Sequence, residues 1–270
     1  MPVVTQHLVN GERAAAAQLA GLGVERGGVL LVHASMRSVG GDAGAMADAL
    51  RTVLGPEGTL VVPSFTPENS DTSRSYLERV RGLSDEARAA LRAAMPPFDR
   101  EVSPAPAMGR LAETVRLTPG AERSAHPQTS FTAIGPAARK LLAEHRQDCH
   151  LGEDSPLARL YEADAQILLL GTGFDTCTAF HLAEYRLPAP PRRLYRCVVA
   201  PQGERGWWEY EDVALDDGDF AALGRAFECA DTTGAVRTGP VGSAGSRLVR
   251  LRAAVDFAVG WLGAHRSGGA

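Results

Sequence analysis

Lysine is all but missing from this 270-residue chain: Lys140 is the only one, and the other basic residues are arginine. Basic and acidic side chains number 28 and 32, for a net charge of -4. With no excess of positive charge there is no broad surface to displace counterions from phosphates, so nucleic acid is not an expected partner. Cysteine is scarce too, at positions 149, 177, 197 and 229 with no C-x-x-C, which excludes a zinc knuckle or a thioredoxin-type pair. No run approaches the roughly 20 apolar residues that span a bilayer. The stretch from Met1 to Arg13 is mixed and polar, without a charged and then apolar leader. The expectation is a soluble, cytoplasmic protein with reduced thiols and no membrane partner. Hydrophobic residues make up 44%, enough for a substantial core.

Short apolar runs alternate with amphipathic ones. Val29 to Val32 follows Gly27-Gly28 and reads as a buried strand; Asp42 to Leu54 reads as a helix closed by Gly55-Pro56; Thr59 to Val62 reads as the next strand. Strand, helix, strand in that order predicts a βαβ unit. Phe65 to Arg74 is polar and irregular, and Leu83 to Ala94 reads as a helix. A second series runs Thr129 to Ile134 (strand), Pro136 to His145 (helix), Gln166 to Leu170 (strand) and Thr178 to Arg186 (helix). Arg193 to Val199 and Trp207 to Tyr210 flank a turn-rich hexapeptide and read as a hairpin. Helices from Phe220 to Cys229 and from Leu248 to Leu262 complete the pattern. The Trp207-Trp208 pair reads as a cap on the core, with a homodimer contact as the alternative. Residues 1–270 are expected to form one α/β domain with a flexible tail at about 266–270, binding ligands at its strand ends.

Several stretches concentrate reactive side chains. The strand ending at Leu170 runs into Gly171-Thr172-Gly173, then Asp175-Thr176-Cys177-Thr178, then His181 and Glu184. Thr176 stands where a dinucleotide fingerprint needs its third glycine, and no acidic residue follows at the ribose distance, so NAD is not expected. His181 and Glu184 are three apart and share a helix face. A carboxylate that fixes an imidazole tautomer and stabilises its protonated form makes a general base. A structural His–Glu pair is the plain alternative, and no second motif supplies further metal ligands. Between the first strand and its helix, Ser35-Met36-Arg37-Ser38-Val39-Gly40 offers hydroxyls, a guanidinium and glycine-freed amides to a phosphate, without the lysine or spacing of a Walker loop. An ordinary capped turn is the alternative there. His126 is restrained by Pro127, and a lone histidine of this kind is usually structural. The acidic residues, including the run Asp216-Asp217-x-Asp219, read mostly as surface; a subset converging on a pocket favours a polycationic substrate. No G-x-S-x-G occurs, which excludes an α/β-hydrolase serine.

In order along the chain, LLVHASMRSVGG, GPEGTLVVPSFT, MPPFDREVSPAPAMGRLAE, RSAHPQTSFTAIGP, LGEDSPLARL and LLLGTGFDTCTAFHLAEYR resemble the aminoglycoside 3-N-acetyltransferase family. The resemblance implies acetyl-CoA-dependent transfer to the 3-amino group of a 2-deoxystreptamine ring, on a single-domain α/β/α sandwich distinct from the GNAT fold. Carried over by position, it implies His181 as general base supported by Glu184, with Thr178 near the acetyl carbonyl. It implies that Ser35, Met36, Arg37, Ser38, Val39 and Gly40 hold CoA, and that Ser103, His126, Pro127, Ser130 and Phe131 border the same groove. Asp175 is implied near the substrate amines, with Glu68, Asp71, Glu211 and Asp212 as further contacts to a polycationic amine. The region from Phe98 to Arg110 is shorter than in the family, and Glu209 to Asp219 follows its acidic pattern loosely; these positions set the acceptor. Two other readings stay open: a family member acetylating a different amine, and a non-catalytic small-molecule binder on the same fold. Cys177 is a candidate covalent acetyl carrier only if its surroundings lower the thiol pKa.

Overall fold

The computed structural model describes residues 2–266, with side chains from residue 11 onward. Its strands are β1 (Val29–Ala34), β2 (Thr59–Pro63), β3 (Glu122–Arg123), β4 (Phe131–Ile134), β5 (Gln166–Leu170), β6 (Arg192–Val199), β7 (Gly206–Val213), β8 (Val236–Val241) and β9 (Ala244–Arg250). Seven of them form one mixed sheet in the order β3-β4-β2-β1-β5-β9-β8, while β6 and β7 pair as a separate hairpin. β1 lies parallel to both β2 and β5, and the pairings farther out are antiparallel.

Alternation along the central strands builds two cores. Leu30, Val32, Leu60, Val62, Leu168 and Leu170 face one side, covered by the helices Pro2–Leu22, Ala43–Leu54 and Gly109–Arg116. Leu31, Val61, Ile167 and Leu169 face the other, beneath Pro156–Glu162, Phe180–Tyr185, Phe220–Ala230 and Leu251–Arg266. Strands buried on both faces must be apolar throughout, which is why these segments read so clearly in the sequence. Truncating one such leucine to alanine costs about 2–5 kcal/mol. The helix Ala43–Leu54 starts where Asp42 accepts a hydrogen bond from the Ala45 amide (3.0 Å) and stops at Gly55, whose φ of +70° suits a glycine. With β1 and β2 it forms the expected βαβ unit.

Three expectations are corrected. Leu248–Arg250 is not helical: Leu248 pairs with Leu168 and Val249 with Ile167, so sheet hydrogen bonding overrides the helical periodicity, and the helix begins at Leu251. The helix expected from Pro136 to His145 shortens to Ala138–Leu142, because Ala143 turns extended and Glu144 takes a positive φ. Arg266 is no frayed tail but an anchor to the site described next; residues 267–270 lie outside the described residues. The Trp207 ring is half-buried and ringed by Arg92, Arg196 and Arg205, while Trp208 is 38% exposed.

Candidate active site

The carboxyl ends of β1, β2 and β5 open into a cleft of about 340 Å³, where sheets of this kind bind ligands. Its walls mix apolar side chains, with Val32, Val62, Phe65, Leu111 and Phe220 among them, and polar ones that include His33, Asp175, Thr178, His181 and Asp217. A second cleft of about 560 Å³ is lined by Arg74, Glu78, Arg81, Arg193 and Asp216. His181 and Asp217 border both.

Gly171 lets β5 turn into this site. At φ +65°, a Cβ there would stand 2.8 Å from Val39 Cγ2 and 3.1 Å from Ala244 Cβ. The glycine-rich turn is thus a packing device that closes β5 onto the Ser35–Gly40 segment. The chain then forms a 3-10 turn, Phe174–Thr176, and the helix Phe180–Tyr185, which buries Phe180, Leu182, Ala183 and Glu184 against the sheet. His181 stays at the rim of that helix.

His181 Nδ1 meets Glu184 Oε2 at 2.6 Å, and Glu184 is 2% exposed. Such a buried carboxylate requires partners on both oxygens. Glu184 Oε1 accepts from Arg266 Nη1 (2.5 Å) and from the Asp216 amide (3.0 Å), while Arg266 is itself held by Asp219. The Phe220 ring packs 4.7 Å from the imidazole. Glu184 therefore favours the tautomer with its hydrogen on Nδ1, which leaves Nε2 with acceptor character.

The other expected residues divide sharply. Thr178 and Asp175 join His181 in the first cleft. The segment Ser35–Gly40 follows β1 at its mouth, with Ser35 and Ser38 hydroxyls 2.9 Å apart and Arg37, Ser38 and Gly40 exposed. Met36 and Val39 are corrected to core residues, buried against the helical layer. His126, Pro127, Ser130 and Phe131 are corrected as well. All four are buried: His126 accepts from the amides of Gln128 and Thr129, Ser130 bonds the Ser64 carbonyl, and Phe131 pairs with Pro63 in the sheet. None has surface to offer CoA. The Ser103 carbonyl takes Arg123 Nη1 (2.5 Å), and its neighbours Ala107 and Met108 line the cleft instead.

Among the acidic candidates, Asp71 and Asp212 are corrected from substrate ligands to internal partners. Asp71 is held by Arg196 and by Arg92. Asp212 accepts from His150 Nδ1 (2.8 Å) and from the Tyr185 hydroxyl (2.6 Å); burial alone would raise its pKa, but these bonds hold it below the ordinary value. Glu211 pairs with Arg192 on the outer hairpin, and Glu68 is exposed on a 3-10 turn away from both clefts. Cys177 is fully buried and its thiol is pushed up to about 12 by burial, so it holds no thiolate at neutral pH. Sequence reasoning gave no role to His33, Phe220 or Arg266. Arg266 lies 82 positions from Glu184, beyond any local spacing signal, whereas Asp217, read with its acidic run as mostly surface, borders both clefts.

The profile of the aminoglycoside 3-N-acetyltransferase family matches residues 31–263. A Bacillus subtilis protein described as SPbeta prophage-derived aminoglycoside N(3')-acetyltransferase-like protein YokD is 38% identical over 248 residues, covering 90% of this chain and 89% of the relative. Its crystal structure superposes with a TM-score of 0.87, covering 96% of this chain and 95% of that one at 36% identity. Aminoglycoside N(3)-acetyltransferase IX of Micromonospora chalcea is 36% identical, covering 90% of each chain. A structure of AAC-IIIb with CoASH matches at TM-score 0.79 and 32% identity over 93% of this chain and 95% of that one; AAC-VIa bound to sisomicin matches at 0.80 and 31% over 96% and 98%. The family match and the superposed structures define an acyltransferase of the α/β class. The chain belongs to the aminoglycoside 3-N-acetyltransferase family.

Proposed function

We propose that this chain, as one domain, transfers the acetyl group of acetyl-CoA to the 3-amino group of a 2-deoxystreptamine aminoglycoside, with His181 as general base and Glu184 as its support. The observation that carries the reading is the position of His181 where two clefts meet, its Nδ1 occupied by a buried carboxylate and its Nε2 left for substrate. The CoASH and sisomicin complexes of homologues support the two ligands. Ser35, Arg37, Ser38 and Gly40 would hold CoA outside the first cleft, whose apolar side chains suit a pantetheine arm; acetyl-CoA supplies the acetyl group as a reactive thioester. The acceptor enters by the second cleft, near Asp217.

An amine bound as ammonium has no lone pair and cannot attack. His181 Nε2 takes a proton as nitrogen bonds to the thioester carbon, and Glu184 stabilises the imidazolium. The carbon–sulfur bond breaks with its electron pair on sulfur, and the proton held by His181 passes to the departing thiolate. This direct transfer needs no covalent enzyme, consistent with the inert Cys177. Thiol release from acetyl-CoA across an aminoglycoside panel, with the acetylated nitrogen located by NMR, tests it. The expected result is release with a 2-deoxystreptamine acceptor and acetylation at N3. Silence across the panel with CoA binding retained would overturn the acceptor.

A further inference from the structure

His33 is a buried polar group that the reaction above leaves unused. It is 6% exposed at the end of β1, and its Nε2 is enclosed without a hydrogen-bond partner. A buried polar atom left so carries an uncompensated desolvation cost, which a hydrogen bond to a ligand would relieve. Alternation along β1 turns His33 to the Leu31 side, toward the layer that carries the helix of His181, and both residues line the first cleft. His33 does not border the second cleft, whereas His181 borders both. His33 therefore sits on the CoA side, two residues before Ser35.

Its protonation state restricts its role. Burial, with the nearby His181 as a second cause, lowers its pKa to about 4. At neutral pH it is an uncharged imidazole, too weak a base to take the amine proton and without the charge to hold a phosphate. It retains one N–H to donate. A neutral imidazole held out of water can polarise a carbonyl, and the burial of His33 strengthens any such dipole.

Resting on the acetyl-transfer reading, we propose that His33 is a second catalytic histidine, whose ring N–H donates to the thioester carbonyl oxygen and stabilises the negative charge that develops there. His33 transfers no proton. As the carbon–nitrogen bond forms, charge gathers on oxygen; as the carbon–sulfur bond breaks, it leaves on sulfur, and the amine proton goes to His181. Thr178, lining the same cleft, is placed to assist.

The test uses acetyl-CoA labelled with 13C at the carbonyl, bound without acceptor to the wild type, His33→Phe and His33→Gln. Phenylalanine keeps the ring and removes the donor; glutamine restores a donor and covers the case in which phenylalanine does not fold. The expected result is a carbonyl stretch at lower wavenumber than in free acetyl-CoA, lost in His33→Phe and partly restored in His33→Gln. In turnover, His33→Phe should lower kcat by about 10²–10³ with little change in the KM for acetyl-CoA. An unshifted carbonyl in the wild type, or a His33→Phe protein with the wild-type shift and kcat, would overturn the proposal. If the wild type turns over no aminoglycoside yet shows the shift, the acceptor reading fails and the role of His33 stands. If it binds no acetyl-CoA, both fail.

Discussion

Among the described residues, two histidine–carboxylate pairs lie at nearly the same bond length, His181 with Glu184 at 2.6 Å and His150 with Asp212 at 2.8 Å. Only the first borders a cleft. His150 uses both nitrogens, since Nε2 meets the Tyr210 hydroxyl at 3.0 Å, and its ring is packed by His126 and Tyr195. Burial lowers its pKa against the pull of Asp212, so it stays neutral within the core. His181 spends one nitrogen on its carboxylate and leaves the other at the junction of two clefts. A carboxylate beside an imidazole therefore offers a base to a ligand only where the second nitrogen is reachable, and the same pair sealed from ligand is a core fastening.

That contrast can be broken from either side. Removing one member of the sealed pair strands a buried partner, so Asp212→Ala should lose about 3–5 kcal/mol of stability in urea unfolding. The fraction that remains folded should keep near-wild-type kcat; a stable but inactive Asp212→Ala would make the sealed cluster part of the chemistry.

The histidines held neutral predict a pH effect of known sign. His33 and His145 have folded pKa values of about 4, below the ordinary 6.5. Their unfolded forms protonate first as pH falls, so stability is complete above pH 6.5 and erodes between 6.5 and 4. Each contributes about 2 kcal/mol of loss between pH 7 and pH 5. His126 and His150 act in the same direction. Urea melts at the two pH values check this, and equal stability at both would contradict it. The smallest effect expected is at the open cluster's support. Arg266→Gln removes a charge-assisted hydrogen bond to Glu184, worth about 1.5–3 kcal/mol, and should lower kcat less than loss of His181 does.

How much of this was legible beforehand follows from range. β5 reads at its observed bounds and β1 and β2 nearly so, because strands buried on both faces show unbroken apolar runs, and the helix Ala43–Leu54 is announced by its amphipathic pattern and its closing Gly55-Pro56. His181 and Glu184 were readable because their spacing is local. Their fellow residues were not. Asp71 looked like a free carboxylate because Arg196 lies 125 positions away, and Asp212 because His150 lies 62 away. His126 carried the right residue type in an unusual motif, but nothing local told a cleft from a sealed core. β8 and β9 went unread because their pairing with each other and with β5 is settled by tertiary contact rather than by pattern.

The most direct test of the account is kcat for His181→Ala at saturating acetyl-CoA and acceptor, measured beside its thermal melting. The account predicts a loss of about 10²–10⁴ in kcat with Tm nearly unchanged, since this imidazole sits at the rim rather than in the core. Turnover at the wild-type rate from a folded His181→Ala protein would contradict it.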